Sequence, residues 1–298
     1  MARILITGAN GFAGPYVAAA LAARGHELHG LSRFAVADDG AIGQWHVAEL
    51  TDAAATARAV QAARPEAVIH LAAISFVAHS DVADIYASNV VGTRNLLQAL
   101  ADFGPLPGPT ILASSANIYG NRVGGALHEG LPPSPQSDYA LSKVACEYLA
   151  DIYAERVRSL VIRPFNYTGR GQSVDFVIPK IIDHVRRGTA DISLGNLKVA
   201  RDFSDVRFFA EAVARLLEAD VPAGERINIC SGAAHTLTEV LDLIADVSGH
   251  RLHVTTDPAF VRTNEVDRLW GDPTKLQRLI GPIAGPRLEE TLRWMLEA

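Results

Sequence analysis

The 298-residue sequence predicts an α/β fold, a doubly wound parallel sheet with a smaller C-terminal lobe. Three observations lead there. Short apolar runs alternate with helix-patterned stretches through roughly the first 165 residues, as parallel βαβ units require. A glycine-rich turn, Gly8 to Gly14, separates the first apolar run from the first helical stretch. Beyond that region the pattern breaks into short helices and Pro-rich connections.

Residues 4–7 read as a buried strand, and residues 12–24 as an Ala-rich helix closed by Gly25, a residue suited to a helix C-terminus. Strands are expected at 28–31, 45–47, 67–71, 110–113 and 160–163. Helices are expected at 52–62, at 81–103 (closed by Gly104) and at 139–156. Then come a helix over 178–187, a strand near Ile192, a helix over 205–219 and a strand over 226–229 that returns to the sheet. Residues 1–165 plus about 203–230 therefore read as one domain, and about 166–202 plus 231–298 as the lobe. Ligands of open α/β sheets bind outside the carboxyl ends of the strands, so the site is expected between the two.

Hydrophobic residues make up 49% of the chain and charged residues 20%, enough apolar material for a sizeable core. The net charge is −6 and the isoelectric point near 5.9, which argues against a nucleic-acid partner. Cys146 and Cys230 lie in apolar surroundings without CxxC or metal-ligand spacing. They read as reduced core thiols, with no metal and a cytoplasmic location expected. The apolar run after Arg3 stops at Thr7-Gly8, too short for a signal segment, and the run over 16–23 falls far short of a bilayer. No membrane association is expected.

The turn reads Gly8-Ala9-Asn10-Gly11-Phe12-Ala13-Gly14. The first glycine makes a tight turn, the second lets backbone approach a pyrophosphate, and the third lets the helix pack closely. The helix N-terminus then offers free N–H groups to the phosphates. Strand before and helix after make this a Rossmann dinucleotide site. The second strand ends Leu31-Ser32-Arg33, with no acid to accept from a ribose 2′-hydroxyl. Ser32 and Arg33 suit a 2′-phosphate, so NADP(H) is the preferred cofactor and NAD(H) the alternative.

Tyr139-Ala-Leu-Ser-Lys143 opens a helix after Pro135 and Ser137, and the i, i+4 spacing puts Tyr139 and Lys143 on one face. An ammonium near a phenol, together with an oxidised nicotinamide, favours tyrosinate and makes Tyr139 a usable acid/base. Ser115, at the carboxyl end of a strand, is expected to steady the carbonyl oxygen, with Ser114 structural.

Four segments together resemble the extended short-chain dehydrogenases/reductases that act on nucleotide sugars. They are Thr7 to Gly14, His70-Leu-Ala-Ala73, Ser114 to Gly120 and the YxxxK. The resemblance implies Ser/Tyr/Lys catalysis, a nucleotide-diphosphate sugar substrate, and a homodimer through a four-helix interface built from helices 81–103 and 139–156. It also implies cofactor contacts at Gly8, Asn10, Gly11, Phe12, Gly14, Glu49, Leu50, Leu71, Ala72, Ala73 and Asn89, beside Tyr139 and Lys143. His70 is assigned no chemistry.

Dehydratases of this family carry Glu, often with Asp, just after the catalytic hydroxyl. Here Ala116 and Asn117 stand there, and neither transfers a proton at neutral pH. The runs at 163–179, 201–206 and 228–232 resemble the reductases of GDP-4-dehydro-6-deoxy-D-mannose, which form GDP-D-rhamnose. That match implies substrate contacts at Ser75, Asn117, Asn166, Lys180, Arg201 and Arg262. Phe208 stands where relatives often carry Asp, and is expected to touch packing or capping only. The alternative activity is a nucleotide-sugar 4-epimerase with tightly bound NAD. A 4,6-dehydratase or a non-catalytic NADP sensor fits the residues less well.

Overall fold

The computed structural model describes residues 1–36, 40–75, 81–121, 125–257 and 266–297. The chain runs β1 (Arg3–Thr7), α1 (Gly14–Ala22), β2 (Glu27–Ser32), β3 (Gln44–Val47), α2 (Ala53–Ala63) and β4 (Ala67–His70). It continues through α3 (Val82–Tyr86), a π turn (Ala87–Val91), α4 (Gly92–Phe103), β5 (Thr110–Ala113) and α5 (Asp138–Ile152). Next come β6 (Ser159–Pro164), β7 (Asn166–Thr168), α6 (Val177–Arg186), β8 (Asp191–Leu194), β9 (Ala200–Asp205) and α7 (Val206–Glu218). The chain ends in β10 (Arg226–Ile229), β11 (Ala234–Thr236), α8 (Leu237–Ser248), β12 (His253–Thr256), β13 (Arg268–Leu269), α9 (Thr274–Ile280) and α10 (Leu288–Leu296).

Seven strands form one sheet in the order β10-β6-β5-β4-β1-β2-β3, and every neighbouring pair is parallel. The order reverses between β1 and β4, which opens a crevice at their carboxyl ends. Both faces of the sheet are covered, so its strands are apolar throughout. Ile4 and Ile6 of β1 face the layer of α1 and α7, with Val17, Leu21, Phe209 and Val213. Leu5 faces the opposite layer, with Leu96 and Leu100 of α4.

A second sheet has the order β11-β9-β13 with β7 also on β9, and β8 pairs with β12. Ile181, Val240 and Leu292 of α6, α8 and α10 share a separate core with them. These strands are two to six residues long and most owe their existence to a partner, so only β8, near Ile192, was anticipated from local pattern.

The sequence expectations hold for the seven main strands, with end shifts of a residue or two. The first helix starts at Gly14 because Phe12 and Ala13 belong to the turn, and Pro15 occupies its first turn. The helix from Asp138 stops at Ile152 rather than at 156, because the buried Tyr153 leads into a turn held by Val157 N–H to its carbonyl. The expected helix over 81–103 is continuous but contains the π turn, and Asp81 caps its start by accepting from the Asp84 N–H. Phe208 packs against Gly285.

Candidate active site

The glycine turn is dictated by contact. Gly8 has φ +68°, and a Cβ there would lie 2.7 Å from Ala72 N. A Cβ on Gly14 would lie 2.2 Å from the Ala9 carbonyl oxygen, so the third glycine clears the turn's own backbone. No side chain caps α1, which leaves its first-turn N–H groups without a side-chain partner. This concave backbone fits a dinucleotide pyrophosphate.

The turn opens onto a cavity of about 490 Å³ at the carboxyl ends of the sheet strands. Gly8, Asn10, Gly11, Phe12 and Gly14 line one wall. Ser32, Arg33, Glu49 and Leu50 line the end beside β2 and β3, while Leu71, Ala72, Ala73 and Ser75 follow β4. Arg33 is largely exposed; its guanidinium stands 5.4 Å from the Phe34 ring and 3.9 Å from Glu49. Ser115, Asn117, Tyr139, Lys143 and Asn166 line the other end.

Helix α5 begins at Ser137, whose side chain accepts from Ala140 N–H. That cap sets the helix so that Tyr139 and Lys143 point at the end of β5. Both are buried, and the Lys143 ammonium donates to the Ala113 carbonyl at 2.8 Å. Burial raises the Tyr139 phenol to about 12, opposed in part by the neighbouring Ser115 hydroxyl. Burial likewise lowers Lys143. Among the protein's own groups desolvation dominates and holds Tyr139 in the acid form at neutral pH; the expected help of an oxidised nicotinamide is a separate contribution. Asn117 donates to Ser115 Oγ through both its backbone N–H and its Nδ2, each at 3.2 Å. Those two bonds occupy the acceptor side of Ser115, so its own proton is directed into the cavity beside Tyr139.

Beneath the cavity runs a buried polar chain. Thr93 Oγ1 donates to the Asn89 carbonyl at 2.5 Å, so it accepts from His70 Nε2 at 2.9 Å. His70 Nδ1 then accepts from Thr7 Oγ1 at 2.6 Å, which in turn accepts from Ala72 N–H at 3.3 Å. His70 thus has a structural place, in line with its lack of assigned chemistry. Asn89 does not line the cavity but exchanges hydrogen bonds with the Ile74 backbone and donates to Ser142 Oγ.

Lys180 and Arg201 do not join the cavity among the described residues. Lys180 donates to the Ser193 carbonyl, and Arg201 to the Ala200 carbonyl on the second sheet. Arg262 lies outside the described residues. The cavity also takes in Phe34, Tyr167, Gln172 and Phe176, which sequence reasoning gave no role. Tyr167 is stacked between Phe12 (5.8 Å, 13°) and Phe209 (4.5 Å, 10°), a contact between distant segments that no local pattern announces. No group of three or more His, Cys, Asp or Glu side chains is placed to hold a metal ion among the described residues. No helix there is long and apolar enough to cross a membrane.

A family model described as GDP-mannose 4,6 dehydratase matches residues 5–295. The chain belongs to this family. It is thereby an extended short-chain dehydrogenase/reductase and an NAD(P)-dependent oxidoreductase. The GDP-6-deoxy-D-mannose reductase of Pseudomonas aeruginosa is 37% identical over 243 residues, 78% of this chain and 79% of that protein. The GDP-6-deoxy-D-talose 4-dehydrogenase of Aggregatibacter actinomycetemcomitans is 30% identical over 280 residues, 94% of this chain and 91% of that protein. Among solved structures, RMD from Pseudomonas aeruginosa complexed with NADPH superposes with a TM-score of 0.85 at 32% identity, covering 100% of this chain and 98% of that one. A Burkholderia cenocepacia J2315 structure provisionally described as an epimerase gives 0.92 at 45% identity, covering 99% and 97%.

Proposed function

We propose that this family member reduces the 4-keto group of a nucleotide-4-dehydro-6-deoxyhexose, GDP-4-dehydro-6-deoxy-D-mannose, to GDP-D-rhamnose with NADPH. The observation that carries the reading is the make-up of the cavity. Ser115, Tyr139 and Lys143 meet there, and Glu49, at the far end beside Arg33, is the sole carboxylate among its described lining residues. Elimination of water from the sugar needs an additional acid/base beside the catalytic hydroxyls. Ala116 and Asn117 occupy that place. The redox half of the chemistry remains.

A nicotinamide cofactor held along the glycine turn Gly8–Gly14 and at Lys143 would supply the hydride for C4. Tyr139, protonated at neutral pH, gives its proton to the carbonyl oxygen as it becomes an alcohol. Ser115 donates to the same oxygen, held by Asn117. Lys143, fixed on the Ala113 carbonyl, lies where it would hold the nicotinamide ribose. Arg33, with no acid at the end of β2, favours NADP(H), and NAD(H) remains the alternative. Asn166 faces the sugar from the second lobe, formed by about 166–202 and 231–298.

The substrate reading draws on the P. aeruginosa reductase and the NADPH-bound RMD structure. The A. actinomycetemcomitans relative is named a 4-dehydrogenase of GDP-6-deoxy-D-talose, so product stereochemistry is part of the test. The B. cenocepacia structure supports the second reading, a C4 epimerase, which consumes no net reductant. Two copies associate through α4 and α5, where Leu141, Tyr148 and Ile152 stand 47%, 62% and 73% exposed on α5. The enzyme acts in the cytoplasm.

Incubation with GDP-4-dehydro-6-deoxy-D-mannose and NADPH tests the proposal by loss of reduced-cofactor absorbance, one NADPH per sugar. Interconversion of a UDP-hexose pair without NADPH loss would establish the epimerase instead.

A further inference from the structure

Helix α5 reaches β5 through three successive turns. Tyr139 lines the same end of the cavity as Ser115, Lys143 donates to the Ala113 carbonyl, and Glu147 accepts from Ser114 Oγ at 2.6 Å. The spacing i, i+4, i+8 puts all three on one helix face. Residues 113 and 114, which lead into the catalytic serine, are thus each held by a different turn of the catalytic helix.

The third contact is the costliest to build. Glu147 is buried and its carboxylate is paired bidentately with Arg163, Nε at 2.9 Å and Nη2 at 2.7 Å. Arg163 is buried too, and donates onward to Tyr119 Oη at 2.9 Å and to the Glu129 carbonyl at 3.2 Å. Tyr119 Oη donates to Asn228 Oδ1 at 2.7 Å. Arg226 Nε lies 3.9 Å from Glu147 Oε2. A buried ion pair gives little net stability over apolar packing, so what it accomplishes is the fixing of geometry. Here it fixes Oε1 of Glu147, the atom that Arg163 Nε and Ser114 share.

We infer that Glu147, clamped by Arg163, is a positioning residue that sets the catalytic Ser115 by holding its neighbour Ser114. Ser115 receives two bonds from Asn117, so its proton points into the cavity beside Tyr139, at the reacting oxygen, only while the strand end keeps its place. Rotation of the 114–115 backbone by a fraction of an ångström breaks that alignment without touching cofactor or sugar contacts elsewhere. Ser114, read from sequence as merely structural, becomes the link between the buried ion pair and the catalytic hydroxyl.

The test is Ser114→Ala, which removes the Ser114–Glu147 bond and leaves the ion pair whole. The turnover arm rests on the reductase reading, and wild-type turnover is its control. The expected result is a fall in kcat of about tenfold, with the KM for the sugar and the NADPH Kd within about twofold. The solvent isotope effect on kcat rises, because proton transfer to the misaligned site becomes limiting. Ser114→Thr restores the hydroxyl and recovers most of kcat. Ser114→Cys, close in volume but a weak donor, serves if the alanine variant does not fold. A substrate-independent readout is amide hydrogen exchange at Asn117, whose N–H bonds Ser115 Oγ; it quickens at least fivefold in Ser114→Ala. Unchanged kcat and unchanged Asn117 exchange, with only a lower Tm, would overturn the inference and leave the pair a packing element. Absence of wild-type turnover with altered Asn117 exchange would sink the reductase reading and keep the inference.

Discussion

Thr7 Oγ1 and His70 Nδ1 meet at 2.6 Å beneath the glycine turn, joining the ends of β1 and β4 at the point where the strand order reverses. Burial, and secondarily the Lys143 charge, push the imidazole from 6.5 down to about 3. The unfolded chain therefore takes up a proton at His70 that the folded chain refuses. The sign follows: stability falls as pH drops from about 6.5 toward about 3, by up to about 1.4 kcal/mol per pH unit from this group. His70→Asn is expected to be less stable at neutral pH and to show a shallower loss across that window. Urea denaturation at a series of pH values measures it, and parallel stability curves would contradict the assignment.

Tyr139→Phe removes the proton donor and keeps the ring. Turnover is expected to fall about 10²- to 10⁴-fold while the NADPH Kd, followed by cofactor fluorescence, stays within about threefold. A matching loss of binding would make Tyr139 structural. Because burial raises Tyr139 to about 12, the acid form is in place through neutrality. Reduction by the wild type should be flat in kcat from about pH 6 to 9, whereas the reverse oxidation, which needs the base form, should speed up with rising pH.

Asn117 directs the Ser115 proton by donating twice to its oxygen. Asn117→Asp replaces one donor by an acceptor and turns that proton away from the reacting oxygen. The expected cost is about tenfold in kcat at neutral pH, the strength of one misdirected hydrogen bond. Acidification reprotonates the aspartate and restores a donor, so the ratio of variant to wild-type kcat should rise as pH falls. A ratio independent of pH would remove Asn117 from this role.

Arg33 stands at the end of β2, with its guanidinium 3.9 Å from Glu49. Arg33→Ala is expected to lower the NADPH-over-NADH ratio of kcat/KM by about ten- to a hundredfold, the worth of a charge-assisted phosphate contact. Steady-state kinetics with both cofactors reads it; an unchanged ratio would place the 2′-phosphate elsewhere.

Much of the sheet and the cofactor wall was legible because both rest on local pattern. Buried parallel strands are continuous apolar runs, and Gly8 and Gly14 sit where a side chain collides with backbone. The meeting of Ser115, Tyr139 and Lys143, the residues proposed for catalysis, was legible because strand ends and helix starts carry their own signals, such as Ser137 capping α5. The small sheet was not, since strands like Arg268–Leu269 exist only by pairing. Nor were the stack of Tyr167 on Phe12 and Phe209 or the Glu147–Arg163 pair, which join segments through tertiary packing alone. The π turn at Ala87–Val91 has the apolar period of an ordinary helix, and the bond its Asn89 accepts from the Ile74 N–H is likewise a tertiary contact.

The most direct measurement follows the hydride itself. The protein is incubated with GDP-4-dehydro-6-deoxy-D-mannose and NADPH deuterated at the transferring position, and the product is examined by NMR. The account predicts one deuterium at C4 per NADPH consumed, with the equatorial hydroxyl of GDP-D-rhamnose. An axial hydroxyl would make the product GDP-6-deoxy-D-talose, and no deuterium at C4 would contradict the reductase altogether.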